Sequence, residues 1–125
     1  MVEDHALMRN ALRELVDDEA DLSIVGAVSK PSEALEQIPQ SGCDLVMIDL
    51  SLPEMSGLEL TKRLRVEAPG VIILIVSGHD SKIHAKKALQ VGASGYVMKD
   101  NPEQVLRAIH AVIAGETFID TALRR

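Results

Sequence analysis

The sequence predicts an α/β fold in which a parallel sheet is covered by helices on both faces. Three observations carry this. Short apolar runs alternate with amphipathic stretches of about ten to fifteen residues, the rhythm of repeated βα units. Residues 71–76 are continuously apolar and rich in β-branched side chains, the pattern of a strand buried on both sides. Proline opens two of the amphipathic stretches, at Pro31 and Pro102, and glycine closes two, at Gly92 and Gly115.

In order, Leu7, Met8, Ala11, Leu12, Leu15 and Val16 recur at helical spacing and predict a helix over about 5–19. Ile24, Gly26 and Val28 alternate, which predicts a strand. Pro31 starts a helix with Ala34, Leu35 and Ile38 on its apolar face. Residues 45–48 form a short apolar run that ends on Asp49, and Pro53 and Gly57 mark the loop after it. A helix through Leu60 and Leu64 stops at Ala68-Pro69-Gly70. After the strand at 71–76, residues 77–80 turn into a helix over about 81–91, and 95–98 make another short strand. The last helix runs from Pro102 to Gly115 with Val105, Leu106, Ile109, Val112 and Ile113 on its buried face. Only Met1 and Val2 precede the first helix where a strand is due. The expectation is that further residues precede Met1, or that a strand comes from another copy.

Composition narrows the function. The 125 residues, 46% hydrophobic, can bury the core of one domain and not two. A net charge of −6 argues against nucleic acid as the main partner, since phosphate binding needs a basic surface. One Tyr, one Phe and no Trp exclude stacking platforms for single strands. No apolar run approaches the ~20 residues that span a bilayer. Cys43, the single cysteine, excludes an intrachain disulfide or a cysteine zinc site and fits a reducing cytosol, hence a cytoplasmic location. It reads as a packing residue.

Ligands of open parallel sheets bind beyond the carboxyl ends of the strands. The polar residues at those ends are Glu3, Asp4, Asp49, Ser77 and Lys99. Three carboxylates ~4 Å apart repel by a few kcal/mol at an effective dielectric of ~20, so a cation belongs among them. Oxygen donors that leave room for waters and a phosphate suit Mg²⁺. A carboxylate beside Mg²⁺, a lysine and a hydroxyl has the surroundings of a phosphoryl acceptor.

The segments Val-Glu3-Asp4-His5, Met-Ile-Asp49-Leu-Ser-Leu-Pro53-Glu-Met-Ser-Gly57, Ile-Val-Ser77-Gly and Gly-Tyr96-Val-Met-Lys99-Asp together resemble the receiver domain of bacterial two-component response regulators. Their variants look like the NarL/FixJ-type subfamily, which carries a LuxR-type output. The separations match as well: 45 residues from Asp4 to Asp49, 28 on to Ser77 and 22 on to Lys99. The resemblance implies a flavodoxin-like, doubly wound parallel sheet with strand order 2-1-3-4-5, here with the first strand truncated. It implies that Asp49 accepts a phosphoryl group from a sensor histidine kinase. Asp4, Glu3, Asp49 and the Ser51 carbonyl would hold Mg²⁺, and Lys99 would pair with the phosphoryl oxygens. Ser77 and Tyr96 would make the conformational switch. The same resemblance implies a signalling domain rather than an enzyme, with Mg²⁺-dependent self-phosphorylation and autodephosphorylation, and homodimerisation on phosphorylation. Residues 1–115 would be the receiver, and 116–125 the start of a linker to a helix-turn-helix output domain that alone would touch DNA. It further allows a cis peptide at Lys99–Asp100, made costly by the absence of proline.

Other readings are weaker. A haloacid-dehalogenase-type phosphatase needs a second acid two residues past the nucleophile, where Ser51 stands. A nucleotide or flavin module needs a Gly-rich phosphate loop, and no strand is followed by one. A stand-alone or non-phosphorylated receiver acting as an interaction module is the alternative within the same fold. His5, His79, His84 and His110 lie on separate elements at no metal-ligand spacing and read as ordinary side chains, although His79 lies close enough to the site to tune access by water. Lys82, Lys86 and Lys87 read as a solvated helix face.

Overall fold

The long apolar run forms the middle of the sheet. In the computed structural model, which describes residues 1–78 and 81–124, four strands are all parallel and lie in sequence order: β1 (Leu45–Asp49), β2 (Ile72–Ser77), β3 (Gly95–Met98) and β4 (Phe118–Ile119). The helices are α1 (Ala6–Asp17), α2 (Pro31–Ser41), α3 (Gly57–Glu67), α4 (Lys82–Gln90) and α5 (Pro102–Ile113). Alternation along the strands sorts the core into two layers. Val46, Ile48, Ile73, Ile75 and Tyr96 face α2, α3 and α4 through Ala34, Leu60, Leu64, Ala85 and Ala88. Met47, Leu74, Val76 and Val97 face α1 and α5 through Leu12, Val16, Val105, Ile109 and Val112. Among the described residues, no helix is long and apolar enough to cross a membrane.

The α/β class stands, and the parallel bridges of Val2 to Val28 and to Ile48 agree with the order 2-1-3-4-5, but the expected second strand is not formed. Residues 24–28 form no strand; Val28 alone bridges to Val2, which bridges to Ile48 on its other side. A strand needs a run of paired neighbours, and here the pairing is limited to the bridge at Val28. Val2 N–H donates to the Met47 carbonyl (2.8 Å) and Asp49 N–H to the Val2 carbonyl (2.9 Å). Val28 N–H donates to the Met1 carbonyl (2.9 Å) and Glu3 N–H to the Val28 carbonyl (3.0 Å). Among residues 24–27, the Gly26 carbonyl accepts from the Met1 ammonium (3.1 Å), and a cavity of about 380 Å³ lies between this segment and β1, lined in part by Met1, Ile24, Gly26 and Val46. Residues 1–3 thus bridge β1 and Val28 with four hydrogen bonds, two of them made by Val2, which is 1% exposed.

Two smaller expectations are corrected. Leu7 is 86% exposed and Ile113 45% exposed, so neither belongs to its helix's buried face. Every peptide bond among the described residues is trans, Lys99–Asp100 included. Past α5, Phe118–Ile119 pair with Gly95–Tyr96, and Thr121–Leu123 form a 3₁₀ turn with Leu123 buried.

One glycine positions the loop after β1. A Cβ on Gly57 would lie 2.3 Å from the Asp49 carbonyl oxygen, and Gly57 N–H donates to the Leu50 carbonyl (2.8 Å). The first turn of α3 therefore packs directly on the backbone of Asp49. Gly57→Ala is expected to destabilise the fold by about 1–3 kcal/mol, because backbone rather than a side chain must move; urea unfolding monitored by circular dichroism measures it.

Candidate functional site

Residues 1–3, β1, β2 and β3 all point the same way, so their carboxyl ends open on one crevice. Glu3 and Asp4 follow Val2, Asp49 closes β1, Ser77 closes β2 and Lys99 follows β3. Lys99 N–H donates to the Ser77 carbonyl (2.8 Å), which fixes the strand ends beside one another.

At the centre is an ammonium between two buried carboxylates. Lys99 Nζ lies 2.8 Å from Glu3 Oε1 and 2.9 Å from Asp49 Oδ1. The Glu3 and Asp49 side chains are 2% and 4% exposed and that of Lys99 13%. The backbone completes the frame. Ser51 N–H donates to Asp49 Oδ1 (3.3 Å), His5 N–H to Glu3 Oε2 (3.1 Å), and the Arg9 guanidinium to the Glu3 carbonyl (2.8 Å). Burial pushes the Asp49 carboxyl above its ordinary pKa; the Lys99 ammonium opposes this and the Glu3 carboxylate adds to it. Burial disfavours the Lys99 ammonium, but its contacts with Glu3 and Asp49 outweigh that and raise its pKa.

Glu3, Asp4, His5 and Asp49 place one ligand atom each within 4.8 Å of one another. Glu3 Oε1 is buried against the Lys99 ammonium, 2.8 Å away. Buried carboxylate oxygens gathered beside a further carboxylate suit a hard divalent cation. The half-exposed Asp4 leaves the cluster open to solvent on one side.

The fold thus brings together Glu3, Asp4, Asp49, Ser77 and Lys99 at one edge of the sheet. Ser51, exposed, stands two residues past Asp49, and Tyr96 is fully buried in β3, one strand from Ile75. His79 lies outside the described residues. Lys82, Lys86 and Lys87 are exposed on α4, and Cys43 packs against the core.

Sequence reasoning missed three residues. His5 belongs to the carboxylate cluster, its Nδ1 being 3.8 Å from Asp4 Oδ1; its adjacency to Glu3-Asp4 was the available signal. Glu54, in the left-handed region at φ 68°, accepts from Ser32 N–H (3.0 Å) and Ser32 Oγ (3.1 Å), so the loop after Asp49 caps α2. Asp120, 2% exposed, accepts from Met98 N–H (3.0 Å) and Ala122 N–H (3.0 Å). Its place before a short helical turn is an N-cap pattern that the sequence did carry.

A doubly wound sheet with clustered carboxylates and a lysine at its carboxyl edge defines a phosphate-handling α/β class of site. The family model described as response regulator receiver domain matches residues 1–111. The chain belongs to that family. It is 32% identical over 126 residues to the nitrate/nitrite response regulator protein NarL of Escherichia coli, across 98% of this chain and 57% of that protein. It is 32% identical over 120 residues to the transcriptional regulatory protein UhpA of Salmonella typhimurium, across 95% of this chain and 60% of that one. The chain therefore spans less than two thirds of these curated relatives. A LuxR-family two-component response regulator from Aurantimonas sp. superposes with a TM-score of 0.93 at 32% identity, covering 98% of this chain and 88% of that one. A CheY-like receiver domain protein from Methanospirillum hungatei gives 0.81 at 26% identity, over 91% and 90%. The NarL/FixJ-type resemblance is borne out.

The electrostatics predict opposite effects for two substitutions without added metal. Lys99→Ala leaves Glu3 and Asp49 buried without their cation and is expected to cost about 3 kcal/mol. Asp49→Asn removes a buried charge while Lys99 keeps Glu3, and should raise Tm at neutral pH by a few degrees. Because the folded-state pKa of Asp49 is raised, the wild type gains stability as pH falls through that value, so the advantage of Asp49→Asn should shrink toward acid. Thermal melts of the three proteins across pH check both signs.

Proposed function

We propose that this receiver accepts a phosphoryl group on Asp49 from a phosphohistidine of a sensor histidine kinase. The observation that supports it most is Lys99 Nζ held within 2.9 Å of Asp49 Oδ1 in a buried crevice beside two further carboxylates. An oxygen of Asp49 attacks phosphorus, the new P–O bond forms as the P–N bond breaks, and the histidine leaves with its nitrogen lone pair. Lys99 turns from Asp49 to the phosphoryl oxygens and neutralises part of their charge. Glu3, Asp4, Asp49 and the Ser51 carbonyl are the residues that hold Mg²⁺; when bound, the ion supplies charge neutralisation at the transferred group.

Ser77 donates its hydroxyl to the new phosphoryl group, and Tyr96 packs behind it, so that added charge becomes a change of packing. The family's dimerisation on phosphorylation follows from that change. The receiver runs to about Gly115; residues 116–125 lead toward an output domain, which would act on transcription through DNA as in its longer relatives.

Intact mass after incubation with acetyl phosphate and Mg²⁺, beside Asp49→Ala, tests the acceptor. A hydroxylamine-labile gain of one phosphate is expected in the wild type alone, and chelating Mg²⁺ should abolish it. No gain in protein shown to be folded would overturn the reading in favour of a non-phosphorylated interaction module.

A further inference from the structure

A second group of ligand-type side chains meets far from the acceptor cluster. His110 lies in the last turn of α5, and its Nε2 is 3.2 Å from Asp21 Oδ2 and 4.0 Å from Glu19 Oε1. Glu19 and Asp21 follow α1, in a turn where Glu19 N–H donates to the Val16 carbonyl (3.0 Å) and Leu22 N–H to the Glu19 carbonyl (3.3 Å). The three ligand atoms lie within 4.8 Å of one another. The other ring nitrogen, Nδ1, is 3.0 Å from the Leu106 carbonyl. A carbonyl can only accept, so Nδ1 carries the proton of that contact. Nε2 therefore faces two carboxylates, neither of which can donate when ionised, so positive charge belongs between them, as a proton on Nε2 or as a metal ion in its place.

The geometry points to a divalent-metal site of the zinc class, formed by Glu19, Asp21 and His110. An imidazole oriented by a carbonyl on its far nitrogen is the form in which histidine binds metal. Nitrogen and oxygen ligands at about 2.0–2.1 Å in a tetrahedron stand about 3.3 Å apart. The His110–Asp21 separation of 3.2 Å already matches. The Glu19 side chain, partly exposed at the end of α1, closes its 4.0 Å by rotation. Imidazole with carboxylates selects zinc-class ions over Mg²⁺, so this site differs in chemistry from the oxygen-rich crevice across the molecule. With three protein ligands, the fourth position is left to water. A bound ion ties the chain after α1 to the end of α5, two helices that share one face of the sheet. It acts as a staple between them and takes no part in phosphoryl transfer.

Calorimetric titration with Zn²⁺ in excess Mg²⁺, on wild type, His110→Ala and Asp21→Asn, tests the assignment. Both altered positions are surface side chains, and circular dichroism checks the fold. One site is expected in the wild type, weakened roughly tenfold or more in each variant, with acetyl phosphate labelling unchanged. A His5→Ala protein, titrated in parallel, separates zinc held at the acceptor cluster. As a readout on the unaltered protein, the His110 ring resonances should shift with Zn²⁺ at constant pH. Identical isotherms in wild type, His110→Ala and Asp21→Asn would overturn the site. So would a His110 ring that responds to pH and not to zinc, which would make the cluster an imidazolium–carboxylate pair.

Discussion

Everything at the functional edge depends on one ammonium shared by two buried carboxylates. At an effective dielectric of ~20, each Lys99 contact near 2.8 Å is worth about 6 kcal/mol of attraction. Desolvating three ions costs several kcal/mol apiece, and the two carboxylates repel each other. Large terms therefore nearly cancel, and the crevice is held in tension rather than tightly bound. A site in that condition responds strongly to added charge, because any new cation or anion tips a balance that is already close. Burial raises Asp49 and the carboxylates raise Lys99, so the same neighbours set both groups.

That balance is possible only because the backbone brings the charges to one edge. Val2, with its carbonyl and N–H on β1 and its neighbours on Val28, fixes the direction of the chain entering Glu3 and Asp4. Gly57 lets α3 close on the Asp49 carbonyl, and Glu54 ties the intervening loop to the start of α2. The acceptor loop is therefore held at both ends by backbone contacts, while its tip at Ser51 stays exposed.

Much of this was legible in the sequence. The helices through Leu12 and Val16, Leu60 and Leu64, and Val105 and Ile109 follow their apolar spacing, and the run through Ile73–Ile75 lies in the centre of the sheet. The carboxylates and Lys99 were found as strand-end residues before any contact was known. The failures share a cause. Ile24, Gly26 and Val28 alternate as a strand should, yet a strand exists only where a neighbour pairs with it, and pairing is not a local property. Leu7 projects nearly opposite Leu12 and Val16 on α1, and Ile113 lies at the margin of the buried face of α5, so apolar character alone misplaces both. His110 and Asp21 are 89 residues apart, and no spacing rule joins them.

The tail beyond α5 has a mechanical consequence. β4 runs parallel to β3, and Asp120 grips the Met98 N–H immediately before Lys99. Phe118 adds its ring beneath the Arg124 guanidinium, 4.9 Å away. A pull on the chain from the Arg124 side would load these bonds lengthwise, in shear, so several must yield together instead of peeling one by one. Force applied at the sheet's outer edge would thus reach the strand end that carries Lys99, as a lever arm on the crevice.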